Sequence, residues 1–275
     1  MMIDPISRFL LRTRAATDDR AGEPETVALM YHGVVARGGR PNTRFDVRAD
    51  AFSNQLDLLA GAGFETVRVA DLLRGEASGR RRVAITFDDG FRNNYEGAVR
   101  PLLDRRMSAS WFVVSDFIGG LAPWVDGDRR EREILTEEEL RAMIAAGLEI
   151  GSHTRRHLDL TKATPEEIES EVAGSKRDLE DRLSAPIRTF AYPYGRQNGR
   201  VREAVVAAGY VAACATRSGF VRAAEDRYAI RRVTITWSDT LSSFARKLAL
   251  ADNDVAWGHV ARHGVRHLHA RLRAG

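Results

Sequence analysis

Apolar and polar positions divide the chain into short blocks of two kinds. Compact apolar runs read as strands at 27-VALMYH-32, 66-TVRV-69, 82-RVAITF-87, 109-ASWFVV-114, 148-LEIGSH-153 and 188-RTFAYP-193. Two more strands are predicted near Val211–Thr216 and Ile230–Ile235. Between them the spacing turns helical. In 164-TPEEIESEVAGSKRDLEDRL-183, Thr164 serves as a cap, Pro165 fits the first helical position and Glu167 completes a capping box. Thr136 and Glu139 repeat that device ahead of a helix that Gly147 stops. A third helix is predicted at 240-TLSSFARKLAL-250.

Strand–helix alternation of this kind implies a parallel α/β sheet or barrel. No internal repeat or low-complexity block interrupts it. One domain over residues 25–250 is therefore expected, after a polar, flexible lead-in at 1–24 and before a basic, His/Arg-rich tail at 251–275. In such folds functional groups collect at the C-terminal ends of strands. The residues predicted there are His32, the run 87-FDDG-90, His153 and the run 192-YPYG-195.

Composition adds bounds. A chain of 275 residues, 44% hydrophobic, can bury a sizeable core. Its net charge is only +4, and its 42 basic residues are interleaved with 38 acids, so no nucleic-acid partner is expected. Cys214 is the single cysteine, which rules out an intramolecular disulfide and reads as a buried small hydrophobe. No apolar run reaches the roughly 20 residues of a membrane span. The chain lacks the basic start, apolar core and small-residue cleavage site of a secretory signal, so a cytoplasmic protein is expected. Nothing in the sequence marks an oligomeric state.

Three runs carry chemistry. In 85-ITFDDGF-91 two adjacent carboxylates follow an apolar strand. Asp-Asp-Gly is good turn chemistry, but two buried acids also repel unless a cation joins them. In 151-GSHTRRHLDL-160, His153 and His157 are four apart. On a helical turn that spacing puts both imidazoles on one face, as in two-histidine zinc sites, although a surface pair has the same spacing. In 190-FAYPYGRQNG-199 a rigid turn can aim a backbone N–H at a developing oxyanion, or be a plain loop. A competing stripe, His259, His263 and His267, lies in the tail, where Gly258 and Gly264 weaken a helix and arginines crowd it.

Together these runs resemble the polysaccharide deacetylases, the NodB-homology group also called carbohydrate esterase family four. The resemblance rests on TFDDG at Thr86–Gly90, H-T-x-x-H at His153–His157 and the proline–tyrosine–glycine loop at Pro193–Gly195, and covers roughly residues 27–250. It implies a distorted (β/α) barrel of about seven strands. It implies a divalent metal, usually zinc, held by Asp89, His153 and His157, with Asp88 as general base and the Tyr194 N–H at the oxyanion. The implied substrate is an N-acetylated glycan, most often of N-acetylglucosamine.

Two positions depart from the pattern. The arginine that often opens the third motif is replaced by Ala191, and Arg231 or Arg232 is a candidate substitute. The late Leu-x-His motif is missing, since 241-LSSFARKLALADND-254 has no histidine. One branch, resembling the poly-N-acetylglucosamine deacetylases, carries that motif at the front of the chain. The run 29-LMYH-32 fits it, which makes His32 the candidate general acid rather than a packing residue. A related hydrolase of small amides and an inactive carbohydrate-binding relative are the alternative readings.

Overall fold

Every pairing in the main sheet is parallel, and its strand order carries the first strand to the centre of the site. The computed structural model describes residues 3–13, 26–36, 38–39, 41–72, 81–125, 132–222 and 225–260. Its elements run α1 (Pro5–Thr13), β1 (Thr26–Tyr31), β2 (Gly33–Val35), β3 (Asp46–Arg48), α2 (Ala49–Gly61), β4 (Glu65–Thr66), β5 (Arg82–Phe87) and α3 (Arg100–Asp104). They continue as β6 (Ser110–Val113), α4 (Glu137–Ala145), β7 (Glu149–Ser152), α5 (Pro165–Glu169), α6 (Ser175–Leu183), β8 (Thr189–Ala191), α7 (Gly199–Ala207), β9 (Ala212–Cys214), β10 (Val233–Thr234) and α8 (Leu241–Leu250). The sheet order is β10-β1-β5-β6-β7-β8-β9, with β4 also paired to β5. The segment before β10 bonds to β9 through the parallel bridge Cys214↔Ile230, and β10 itself pairs with β1. The two ends of the sheet meet there, giving the distorted barrel of seven strands that was expected.

Strand alternation sorts side chains onto two faces. Leu29, Ile85, Phe87, Trp111 and Ile150 join the large core shared with Phe52, Leu56, Leu140, Leu179 and Phe244 of the surrounding helices. Ala28, Ala84, Phe112, Ala191, Ala212 and Cys214 form a second cluster without residues from the long helices, on the concave side. Each fully buried Leu or Phe of the outer core contributes roughly 1.5–3 kcal/mol. Small residues inside leave room for the polar groups described below. Cys214 is buried, as expected, and burial pushes its thiol up to about 12.

One expectation needs correction, at the start of the chain. The lead-in is not without structure: α1 occupies Pro5–Thr13, with Leu11 in the main core. Asp4 and Ser7 hold it to α8, through Ser242 and the Arg246 guanidinium. The tail also begins docked, because Val255 and Val260 are buried against Leu250 and Leu10. His259 lies beside two carboxylates, Asp252 at 3.2 Å and Asp254 at 3.3 Å. His263 and His267 lie outside the described residues.

Both predicted capping boxes form, at Thr136 with Glu139 and at Thr164 with Glu167. The helix after Thr164 is not continuous α-helix: a π-helical turn at Ser170–Gly174 separates α5 from α6. Gly174 sits so close to Arg155 that a Cβ there would come within 2.5 Å of its guanidinium carbon. The wide turn makes room for the loop that carries the two histidines.

Candidate active site

Asp88 continues the inward alternation of Ala84 and Thr86 one step past β5. Its N–H still donates to the Tyr31 carbonyl at 3.0 Å, so the carboxyl is fixed as if on a strand. Asp89 then takes φ +71° and Gly90 φ +76°, which turns the chain and sends the second carboxyl another way. Gly90 lies against Val113, where a Cβ would sit at 3.0 Å.

The Asp88 carboxyl is gripped by Arg232, whose Nη1 donates to Oδ1 at 2.6 Å and Nη2 to Oδ2 at 2.7 Å. Arg232 is 0% exposed and also donates to Thr86 Oγ1 at 3.0 Å and to the Ala215 carbonyl at 2.8 Å. A bidentate pair with further hydrogen bonds from the same guanidinium is the arrangement in which a buried ion pair holds. Burial alone would raise the Asp88 carboxyl, but Arg232 beside it brings it below its ordinary value. Arg232, one residue before β10, thus stands against Asp88 although position 191 holds an alanine. Arg231 does not fill the role, because it turns to Glu225 at 3.3 Å and the Ser218 carbonyl.

Ala191 acts through its backbone. Its carbonyl lies 2.7 Å from His153 Nδ1. A carbonyl can only accept, so Nδ1 carries the hydrogen and Nε2 is the basic nitrogen. Burial lowers the His153 pKa to about 4, so the imidazole is neutral near pH 7. Its Nε2 faces Asp89 Oδ1 at 3.6 Å, and His157 Nε2 faces the same oxygen at 3.3 Å. Burial would raise Asp89, but the His157 hydrogen bond and the His157, His32 and His153 imidazoles hold it far below its ordinary value. Donor atoms of Asp89, His153 and His157 all lie within 4.8 Å of one another, the one such group of three among the described residues.

The H-T-x-x-H segment is not helical. Thr154 and His157 take φ +70° and +61°, and the loop rather than a helical turn brings the imidazoles together. Left-handed non-glycine residues cost about 1–3 kcal/mol each. The intervening arginines offset this by tying the loop to the helix beside it. Buried Glu171 accepts both the Arg155 and Arg156 N–H groups, and Arg155 forms a fork with Asp178 at 2.6 and 2.8 Å. The His157 ring lies against Trp124 at 4.8 Å and against Tyr194, also at 4.8 Å. Trp111 is buried in the core, Trp124 covers His157 and Trp237 is 63% exposed.

His32 stands on the opposite flank, one residue beyond β1 and half-buried. Its carbonyl accepts from Asn94 Nδ2 at 2.8 Å, while Asn94 Oδ1 accepts from the Val34 N–H at 2.9 Å. Its ring stacks on Phe45 at 4.6 Å. Buried Asp46 pins that loop by accepting from the Asn42 and Thr43 N–H groups and from Arg132, each at 2.8 Å. The His32 charge bears on both Asp88 and Asp89, so the histidine adjoins the site. Tyr194 closes the third side in a left-handed turn, φ +60°, with its side chain 54% exposed. All six residues picked from the sequence therefore adjoin one site. Asn94, Phe45, Arg132 and Glu171 were not picked. Asn94 directly extends 87-FDDGFRN-93, but nothing in that run distinguishes it from a turn residue.

Known proteins of the same shape and motifs frame this geometry. The family profile described as polysaccharide deacetylase matches residues 75–213, just over half of the chain. The YxkH protein of Bacillus subtilis (strain 168) is 28% identical over 220 residues, covering 78% of this chain and 73% of its own. A poly-β-1,6-N-acetyl-D-glucosamine N-deacetylase of Staphylococcus aureus (strain MRSA252) is 24% identical over 166 residues, 56% of this chain and 55% of that protein. Among solved structures, a polysaccharide deacetylase from Bacillus cereus superposes with a TM-score of 0.68 at 26% identity, over 82% of this chain and 69% of that one. IcaB from Ammonifex degensii gives a TM-score of 0.70 at 25% identity, over 82% and 97% of the two chains. With the motifs, the barrel and these relatives in agreement, the chain belongs to the polysaccharide deacetylase family, a family of hydrolases.

Proposed function

We propose that the chain removes N-acetyl groups from N-acetylglucosamine-containing glycans and that Asp89, His153 and His157 hold a divalent metal for this reaction. The convergence of one carboxylate and two imidazoles carries the reading, since that donor set suits zinc while leaving positions open. The printed activity of the Staphylococcus aureus relative supports the sugar class. When bound, the metal would polarise the acetamide carbonyl and lower the pKa of a water.

The chain's own groups do the rest. Asp88, kept ionised and oriented by Arg232, takes the proton of the attacking water. The Tyr194 N–H donates to the oxygen on which charge develops. The water oxygen bonds to the carbonyl carbon and the C–N bond breaks. His32, in its protonated form, gives the sugar nitrogen its proton, so acetate and a free amine are the products. Phe45 and Asn94 hold His32 in place for that transfer.

Acetate release from chitooligosaccharides and β-1,6-linked N-acetylglucosamine oligomers, with zinc present, tests this. Asp88→Asn is expected to lower turnover by about 10²–10⁴. Zinc analysis of His153→Ala is expected to show loss of the metal. No acetate from any N-acetylated sugar, or full activity in Asp88→Asn, would sink the proposal.

A further inference from the structure

A cleft of about 630 Å³ opens at the C-terminal ends of β8 and β9, next to the site. That is a size at which small-molecule ligands are commonly held, about 300–1,000 Å³. One wall is the turn at Gly195, adjacent to Tyr194, whose ring meets His157 at 4.8 Å. The segment Ala215–Arg217, Arg231 and Glu225 also line the cleft. Gly195 is needed there: at φ +67° its Cα packs on Thr216, where a Cβ would come within 2.0 Å of the hydroxyl.

The charges around the cleft do not cancel. Its lining contains three arginines, Arg196, Arg217 and Arg231, and two acids, Glu225 and Asp226, leaving 3 − 2 = +1. Arg231 pairs with Glu225 at 3.3 Å, Arg196 with Asp159 at 2.5 Å and Asp226 with Arg202 at 2.8 Å. Arg217 is exposed, and among the described residues its guanidinium has no ion pair. Its backbone is fixed all the same. The Arg217 carbonyl accepts the Arg232 N–H at 3.0 Å, and the Ala215 carbonyl accepts Arg232 Nε at 2.8 Å. The residue that grips Asp88 therefore also sets where Arg217 stands.

We propose that this cleft seats a sugar unit neighbouring the one that reacts, and that Arg217 binds an anionic substituent on it, a carboxylate or a phosphate. The unpaired guanidinium supplies the recognition, while the cleft's hydroxyl and paired charged groups suit a polar ring. The assignment rests on the deacetylase reading, since it places the reacting acetamide at Asp89, His153 and His157.

The test compares three N-acetylglucosamine tetramers: a neutral one, one bearing a carboxylate on a neighbouring unit, and one bearing a phosphate ester there. Acetate release is measured on each by the zinc-loaded full chain. Binding of the corresponding deacetylated products is measured by calorimetry, which needs no turnover. One charge-assisted contact predicts a preference of about tenfold for an anionic glycan, in kcat/KM and in Kd. Arg217→Gln is expected to abolish that preference, and Arg100→Gln, which removes the same charge on α3, to keep it. The better of the two anionic arms identifies the substituent. Equal binding of all three, or a preference that survives Arg217→Gln, overturns the proposal. Acetate release without the preference removes the cleft assignment alone. An Arg217-dependent preference in product binding without acetate release removes the deacetylase reading alone.

Discussion

Two carboxyl groups sit on the concave side of the barrel, and their partners differ. Asp88, just past β5, has a guanidinium on both oxygens. Glu149, at the start of β7, retains some exposure as a residue, but its carboxyl is enclosed by Ser110 Oγ at 2.5 Å, Thr189 Oγ1 at 3.1 Å and the Ala70 N–H. No cation pairs with it among the described residues. Asp88 is held below its ordinary pKa, whereas burial pushes Glu149 above its own. Hydroxyl and amide donors satisfy an enclosed carboxyl without keeping it charged; a bidentate arginine does both. Arg232, the one arginine 0% exposed among the described residues, stands at the end where a charged carboxylate is useful.

Arg232→Met would break the contrast most severely. It leaves Asp88 enclosed without its cation, a loss expected to destabilise the fold by about 3–5 kcal/mol. The sign with pH also reverses. In the native chain the Asp88 pKa is depressed, so its stabilisation is present above the unfolded value of about 3.9 and is lost only in stronger acid. In the variant the pKa is raised, so stability falls as pH rises above about 4. The acidic limb of the rate profile is expected to move to higher pH, because a protonated Asp88 cannot accept a proton. Urea unfolding and rate–pH profiles measure both. A variant with native stability and an unmoved limb would show that Arg232 does not control Asp88.

How much of this was legible before the structure depends on whether the information was local. TFDDG and H-T-x-x-H follow apolar runs, so β5, β7 and their terminal acids and histidines could be placed from pattern alone. Choosing between Arg231 and Arg232 could not be done that way. The choice depends on the register Leu29↔Val233, which sets which of two adjacent side chains faces inward. The helical reading of His153–His157 failed because Thr154 and His157 adopt left-handed backbone, a conformation Thr and His seldom advertise. The order of Pro5–Thr13 was missed because a nine-residue helix is marginal alone and owes its stability to α8. Asn94 and Phe45 meet His32 only through tertiary contacts.

His32→Ala tests the site end from its other flank, with a smaller expected effect. Turnover is expected to fall by roughly 10²-fold, as for loss of a general acid, while zinc stoichiometry stays native. Folding should change little, since the backbone bonds of Asn94 to His32 and Val34 do not involve the imidazole. Stopped metal binding would move His32 into the metal's ligand set. A native rate would return it to packing against Phe45.

Glu149→Gln sharpens the comparison at the other end and should change least. Glutamine keeps an oxygen for the Ser110, Thr189 and Ala70 donors and never ionises. In the native chain the folded pKa lies above the unfolded one, so the folded state holds its proton longer. Stability from this group is then fully present below the unfolded pKa of about 4.3 and is lost as pH rises through the folded value. The variant is expected to gain stability relative to the native chain at neutral pH and to show no gain at pH 4. Acetate release should stay within about twofold of native, since the group lies away from the reacting atoms. Unfolding curves at the two pH values measure the difference. A loss at neutral pH would mean that Glu149 is ionised in the fold, and that hydroxyl and amide donors alone can hold a carboxylate charged inside this barrel.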